Sequence, residues 1–329
     1  MKAVVYDALG SVIFSEIETP RPAPGEVLIR VAASGVCHTD IDVLHGRYGT
    51  PDFPLVPGHE YAGVVEELGE GVSEFAVGDR VVVDPNLSCG HCRACRKGLA
   101  NLCETLGAYG VSTNGGFAEY SAVKAENLVA IGDMPFNMAA LAEPMGCVLN
   151  GVEAIGTEGV ENALVVGAGP IGLLMAMALK TRGVEEIGLV DLAPHRLELA
   201  ESFGFTPYAP GSAEIAALEH SVDLCVDATG VPAVAATLPG YTANGGKVLY
   251  FGVCPPDARI EISPFEVFRR QLTIAGAHSL NHNIADAIAA LNATGPSVTR
   301  LVSHELPLEE IPKVLLKQGP EGTLKVQAR

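Results

Sequence analysis

Ala163-Leu164-Val165-Val166-Gly167-Ala168-Gly169-Pro170-Ile171-Gly172 is the stretch that decides how this chain is organised. Its four leading apolar residues read as a buried strand, and Ile171 to Lys180, rich in Ala, Leu and Met, read as a helix. Between them stands G-x-G-x-x-G. A chain with 37 glycines produces that pattern by chance, and the bland alternative is an ordinary strand-to-helix turn. Its position, closing a strand and opening a helix, is what gives it meaning. Gly167 permits the tight turn, Gly169 lets backbone approach a pyrophosphate, and Gly172 lets the helix pack closely on the strand. Pro170 and Ile171 begin that helix, whose N-terminus offers amide donors and a positive dipole end to phosphates. The next strand, Ile187-Gly188-Leu189-Val190, runs into Asp191, nineteen residues past Gly172. An acid there accepts hydrogen bonds from the adenosine ribose and repels a 2′-phosphate, so NAD is the expected cofactor. Arg196, five residues on, is within reach of such a phosphate and keeps NADP as the less favoured alternative.

Outward from this stretch the alternation continues. A helix opened by Pro194 closes near Gly204, and Val222-Asp223-Leu224-Cys225-Val226 and Lys247-Val248-Leu249-Tyr250-Phe251 are further apolar strands with helical segments between them. Strands alternating with helices imply a parallel sheet covered on both faces, here a doubly wound Rossmann domain over residues 143–276. Residues 1–142 read differently. Short runs such as Val27-Leu28-Ile29-Arg30-Val31, Ala62-Gly63-Val64-Val65-Glu66 and Arg80-Val81-Val82-Val83, punctuated by Pro24-Gly25 and Gly78-Asp79, predict a barrel-like β body. Residues 277–329 hold an amphipathic helix, Ile284 to Leu291, and short strand-like pieces. The fold class is therefore α/β with a second, β-rich domain.

The bulk numbers agree with a two-domain enzyme. The chain has 329 residues, 48 % of them hydrophobic and 18 % charged, as in ordinary globular proteins. A net charge of −18 argues against a nucleic-acid partner, because neutralising phosphates takes clustered Lys and Arg. The longest apolar stretch, Ala163 to Leu179, is broken by three Gly and a Pro and followed by Lys180, so no membrane span is expected. Met1-Lys2-Ala3-Val4-Val5-Tyr6 reads as a strand rather than an export signal. The eight cysteines are then read as reduced thiols and metal ligands in the cytoplasm.

Half of those cysteines are clustered. Cys89, Cys92, Cys95 and Cys103 have the spacing C-x2-C-x2-C-x7-C, and Gly90 and Gly98 supply turns that aim them at one point. Four thiolates complete a closed tetrahedral shell, the mark of a structural zinc. An iron–sulfur cluster competes, but the fourth cysteine lacks the following proline and no second cysteine run exists. Cys147, Cys225 and Cys254 read as small buried hydrophobes in strands or helix starts.

Three further places carry chemistry-bearing residues: Cys37-His38-Thr39-Asp40, Gly58-His59-Glu60 and Glu143-Pro144. Singly each has a dull explanation, as core filler, a loop histidine or a helix-start carboxylate. Their joint order, with the cysteine cluster and glycine loop, is specific. With Gly35-Val36, Pro57 and Val77-Gly78-Asp79-Arg80-Val81, nearly the whole chain resembles the zinc-containing medium-chain dehydrogenases, most closely their polyol and threonine dehydrogenase branch.

The resemblance implies a GroES-like β-barrel catalytic domain over residues 1–142, with a structural-zinc lobe at about 86–104. The Rossmann domain follows, and the chain returns to the catalytic domain at 277–329. It implies two zinc ions per chain. The catalytic one would be held by Cys37, His59 and one or both of Glu60 and Glu143; the alcohol dehydrogenase branch has cysteine where Glu143 stands. Thr39 would take the substrate proton, and Asp40 would orient His59. A small alcohol is the implied substrate, a secondary alcohol of polyol type first and threonine-like or simple alcohols second. A homotetramer or homodimer joined by Rossmann edge strands is the implied assembly. Two departures stand out. Asp42 occupies the place where several relatives carry a relay histidine, and His38 the place where some carry an arginine. A non-catalytic dinucleotide-binding protein with two structural zincs is the remaining alternative; it has no need of an open metal site.

Overall fold

The structure, a computed structural model, describes residues 1–49 and 52–329. The chain forms two compact units, Met1–Gly146 with Leu280–Arg329, and Cys147–Ser279. The first junction falls inside the helix Ala142–Ile155 rather than ahead of it.

The second unit is built on six parallel strands. Taken in chain order they are Asn162–Val166, Glu186–Val190, Thr206–Tyr208, Val222–Asp227, Thr242–Tyr250 and Thr273–Gly276. They stand in the order third, second, first, fourth, fifth, sixth. This is the doubly wound arrangement, with the order reversing beside the first strand. That strand is paired on both sides and covered on both faces, which is why Ala163 to Val166 are all buried and the sequence shows an unbroken apolar run. The helix Pro170–Thr181 buries every residue from Gly172 to Leu179, so its apolar character on all sides is a consequence of packing. The fifth strand starts at Thr242, earlier than the apolar run at Lys247 suggests. Its register against the fourth strand shifts around Gly245, whose φ of 77° breaks the alternation the eye follows. Cys225 is buried in a strand as expected, whereas Cys254 lies half-buried in a loop.

The first unit is a seven-stranded sheet. Its strands run Val302–Leu306, Lys325–Ala328, Glu26–Gly35, Glu60–Leu68, Arg80–Val83 and Leu128–Ala130, with Tyr120–Lys124 also paired to Glu26–Gly35. Val27, Ile29, Tyr61, Val65, Val81, Val83 and Val123 interlock as its core. Irregularities at Leu28/Ile29 and Val31/Ala33 bend the long central strand. The C-terminal strand is docked onto that strand, Gln327 opposite Gly35, so the end of the sequence is brought to the segment leading into Cys37.

The cysteine lobe is fastened by the loop that re-enters this unit. Asn86 Nδ2 donates to the Leu280 carbonyl at 2.8 Å and Asn281 Nδ2 to the Gly98 carbonyl at 2.8 Å. His282 lies between Asp84 (Nδ1 to Oδ2, 2.8 Å) and Ser88 (Nε2 to Oγ, 3.0 Å). The hydrogen bond and charge of Asp84, aided by the charge of Glu126, raise the His282 pKa against the opposing effect of burial.

Two outcomes follow from this packing. A Cβ at position 172 would sit 1.7 Å from the Gly167 carbonyl, whereas one at Gly240 meets nothing within 4 Å. Gly172→Ala should therefore lose about 1–3 kcal/mol in thermal denaturation while Gly240→Ala does not. The His282–Asp84 pair contributes stability in full below the unfolded histidine pKa of about 6.5, and loses it as pH rises through the raised folded value. The melting-temperature gap between wild type and His282→Asn should accordingly be widest in mild acid and narrow towards alkaline pH.

Candidate active site and metal centres

The first site is organised by one carboxylate. Cys37 is the N-cap of the helix His38–Leu44, and Asp40, three residues on, turns back to accept the Cys37 backbone N–H at 2.8 Å. The other Asp40 oxygen accepts from His59 Nδ1 at 3.0 Å. Asp40 is fully buried, and its backbone carbonyl is held by the Tyr6 hydroxyl at 2.9 Å. With Nδ1 so engaged, Nε2 is the ring nitrogen that His59 turns towards Cys37 and could offer to a metal. Burial opposes a charge on His59, but Asp40 and Cys37 beside it outweigh that and hold its pKa well above the usual value.

Glu60 opens the strand after His59 and faces Gly35 across the ladder. A Cβ at Gly35 would fall 2.2 Å from Glu60 Oε2, so this glycine is required to give the carboxylate room. Ligand atoms of Cys37, His59 and Glu60 all lie within 4.8 Å of one another. Thiolate, imidazole and carboxylate together are a donor set suited to zinc.

One member of this neighbourhood was invisible in the sequence. Lys325 donates to Glu60 Oε1 at 2.6 Å and to the Val36 carbonyl at 3.1 Å, with both side chains buried. Glu60 Oε2 lies 2.5 Å from the same nitrogen but has no formed hydrogen bond. Burial would lower the Lys325 pKa, but Glu60, Cys37 and Glu143 overcome it and hold the ammonium ion above its ordinary value. Glu143, in the first turn of the helix Ala142–Ile155, is buried; its charge reaches Lys325, but it stands outside the three-residue cluster. Thr39 is half-buried beside Asp40. Asp42 is held by Arg47 at 2.9 Å, with His38 Nε2 3.8 Å away, so its carboxylate is already committed to a cation. Phe53 packs against the core formed around Leu55 and Phe117.

Cys89, Cys92, Cys95 and Cys103 form the second cluster, their sulfurs also within 4.8 Å of one another. Backbone N–H groups point at the sulfurs: Cys89 to Cys103 at 3.2 Å, Cys92 to Cys89 at 3.3 Å and Thr105 to Cys103 at 3.4 Å. Such donors hold Cys103 and Cys92 below the usual thiol pKa, while burial and the neighbouring sulfurs hold Cys95 above it. Cys92 and Cys103 are thus biased towards thiolate, and four thiolates so close would repel one another until a cation joined them.

In the second unit the glycine loop has the geometry its spacing predicts. Gly167 has φ 108° and donates to the Val190 carbonyl at 2.7 Å. Gly169 caps the helix in extended conformation, and a Cβ there would meet only Arg196, 3.9 Å away. That open space fits a phosphate group placed against backbone. Asp191 accepts Ala168 N–H and Ala193 N–H, each at 2.9 Å, and lies 3.6 Å from Arg196.

Residues 23–133 match the alcohol dehydrogenase GroES-like domain, and residues 170–293 match the zinc-binding dehydrogenase family. The chain is 52 % identical to D-altritol 5-dehydrogenase of Agrobacterium fabrum over 99 % of each chain. It is 31 % identical to D-arabinitol dehydrogenase 1 of Uromyces fabae, covering 100 % of this chain and 97 % of that one. A zinc-binding dehydrogenase of Sinorhizobium meliloti 1021, solved bound to NADP, superimposes with a TM-score of 0.94 at 30 % identity, over 99 % of this chain and 98 % of that one. The chain belongs to the zinc-type medium-chain dehydrogenase family, with a GroES-like and a Rossmann-type domain.

Asp40→Asn keeps the size of the side chain but weakens its hold on His59. It should lower zinc affinity at the Cys37 cluster about 10–100-fold, measured by chelator competition, without releasing metal from the cysteine lobe.

Proposed function

We propose that this chain is a zinc-dependent polyol dehydrogenase that uses NAD, with one catalytic and one structural zinc per chain. The convergence of Cys37, His59 and Glu60 on one point carries the reading, and the similarity to altritol and arabinitol dehydrogenases supports the substrate class. A zinc ion there supplies Lewis acidity that makes a bound secondary alcohol a hydride donor to nicotinamide. Asp40 fixes the imidazole tautomer and orientation, Thr39 receives the hydroxyl proton, and Glu143 is a nearby buried carboxylate rather than one of the three clustered ligands. From Thr39 the proton passes on to Asp42, a ribose hydroxyl or a water. The cysteine lobe does no chemistry and staples its loop.

NAD is preferred because Asp191, fixed by two backbone amides, keeps its charge towards the ribose position and engages Arg196. The glycine loop from Gly167 through Pro170 and Ile171 to Gly172 takes the pyrophosphate. The working assembly is a homo-oligomer, a dimer or tetramer, joined through the edge strand Thr273–Gly276. Phe265 and Phe268 on the adjoining helix are 63 % and 80 % exposed. Thiolate clusters persist in reducing compartments, which supports a cytoplasmic reading.

A panel of altritol, arabinitol, threonine and short secondary alcohols, each with NAD and NADP, tests substrate and cofactor together. Polyols with NAD should give the highest kcat/KM; threonine or NADP leading the panel would overturn the corresponding assignment. Cys37→Ser should abolish turnover while NAD binding survives, and Cys92→Ser should first lower the melting temperature.

A further inference from the structure

Buried anionic groups crowd the first metal site. With a metal bound, Cys37 as thiolate and Glu60 would each bring a negative charge to the cluster, Asp40 stands behind His59, and the charge of Glu143 reaches Lys325. A divalent ion offsets two. Lys325 is a buried cation at this cluster, 6 % exposed, delivered from position 325 by a strand paired to the segment that leads into Cys37. Its nitrogen contacts both Glu60 oxygens and also the Val36 carbonyl, so it is held from two sides. Glu60 Oε2 lies over Gly35, where a Cβ would fall 2.2 Å away, so the bare glycine leaves the carboxylate its place beside that strand.

We propose that Lys325 is a positioning residue of the catalytic metal site: its ammonium ion shares the Glu60 carboxylate with the metal, holding it beside Cys37 and His59 while withdrawing part of its charge. The inference rests on the zinc reading above. Two cations on one carboxylate repel each other, so the lysine weakens metal binding and keeps the bound metal a stronger Lewis acid than a fully neutralising ligand set would. Metal retention is thus traded against reactivity. A lysine with a merely structural role would do the opposite, because its loss would loosen Glu60 and weaken the metal.

The test measures the affinity of the zinc equivalent that Cys37→Ser abolishes, by chelator competition with the cysteine lobe loaded. Lys325→Met should bind that zinc about tenfold or more tightly, and Lys325→Arg, which keeps the charge, should stay within about threefold of wild type. In loaded enzyme, Lys325→Met should lower kcat with little change in KM for the alcohol. A folded Lys325→Met with unchanged or weaker zinc affinity would overturn the proposal while leaving the dehydrogenase assignment intact. A wild-type chain binding no zinc at Cys37 would overturn both. If Lys325→Met does not fold, Lys325→Met combined with Glu60→Gln removes both buried charges and should retain zinc within about tenfold of wild type, since the two changes offset. A loss of about a hundredfold in that double variant would show Glu60 to be an unshared ligand and sink the idea.

Discussion

One buried carboxylate organises the first site. Asp40 closes the N-terminus of its helix on the Cys37 amide and, with its other oxygen, fixes His59. A fully desolvated carboxylate is tolerable only because both oxygens are satisfied, so local helix capping and ligand orientation are the same interaction. Two residues twenty-two positions apart are thereby aimed at a common point. Neither could be held so well by packing alone, because a half-buried thiol and an imidazole have no shape that dictates their direction.

Around this carboxylate the chain arranges charge in matched layers. Asp40 serves the histidine, Lys325 serves Glu60, and Arg47 holds Asp42 at the margin. Breaking one partner of a buried pair typically costs about 3–5 kcal/mol, so the first two contacts restrict which residues can stand here as strongly as the chemistry does, while the exposed Arg47–Asp42 pair contributes little. The cysteine lobe repeats the logic with backbone donors: amides point at sulfur before any metal is considered. The loop Leu280–Asn283 then ties that lobe to the rest of its unit through Asn86, Gly98 and Asp84.

Much of this was legible in the sequence, and the exceptions have a physical pattern. Where spacing along the chain dictates geometry, reading succeeds: the glycine loop, whose turn needs φ 108° at Gly167, and the cysteine run, whose turns fall at Gly90 and Gly98. The parallel, helix-covered sheet of the Rossmann unit followed from strand–helix alternation, but its strand order did not. What escaped were partners fixed by strand pairing across the whole chain. Lys325 meets Glu60 over 265 positions, and nothing in Leu324-Lys325-Val326 marks that lysine as buried rather than solvated. Asn86, Asn281 and His282 likewise look like ordinary loop residues until the return segment is placed against the lobe. Element ends also escaped where glycine interrupts apolar alternation, as at Gly245 in the fifth strand.

Cys37, His59 and Glu60 are brought together only by the fold, and the proposed activity requires that they share one metal ion. Anomalous X-ray scattering across the zinc absorption edge, on crystals of the zinc-loaded protein, addresses that directly. An anomalous peak is expected at bonding distance, about 2.0–2.3 Å, from Cys37 Sγ, His59 Nε2 and a Glu60 oxygen, with a second inside the four-cysteine lobe. A peak in the lobe alone, with Cys37 and His59 bound to nothing, would contradict it.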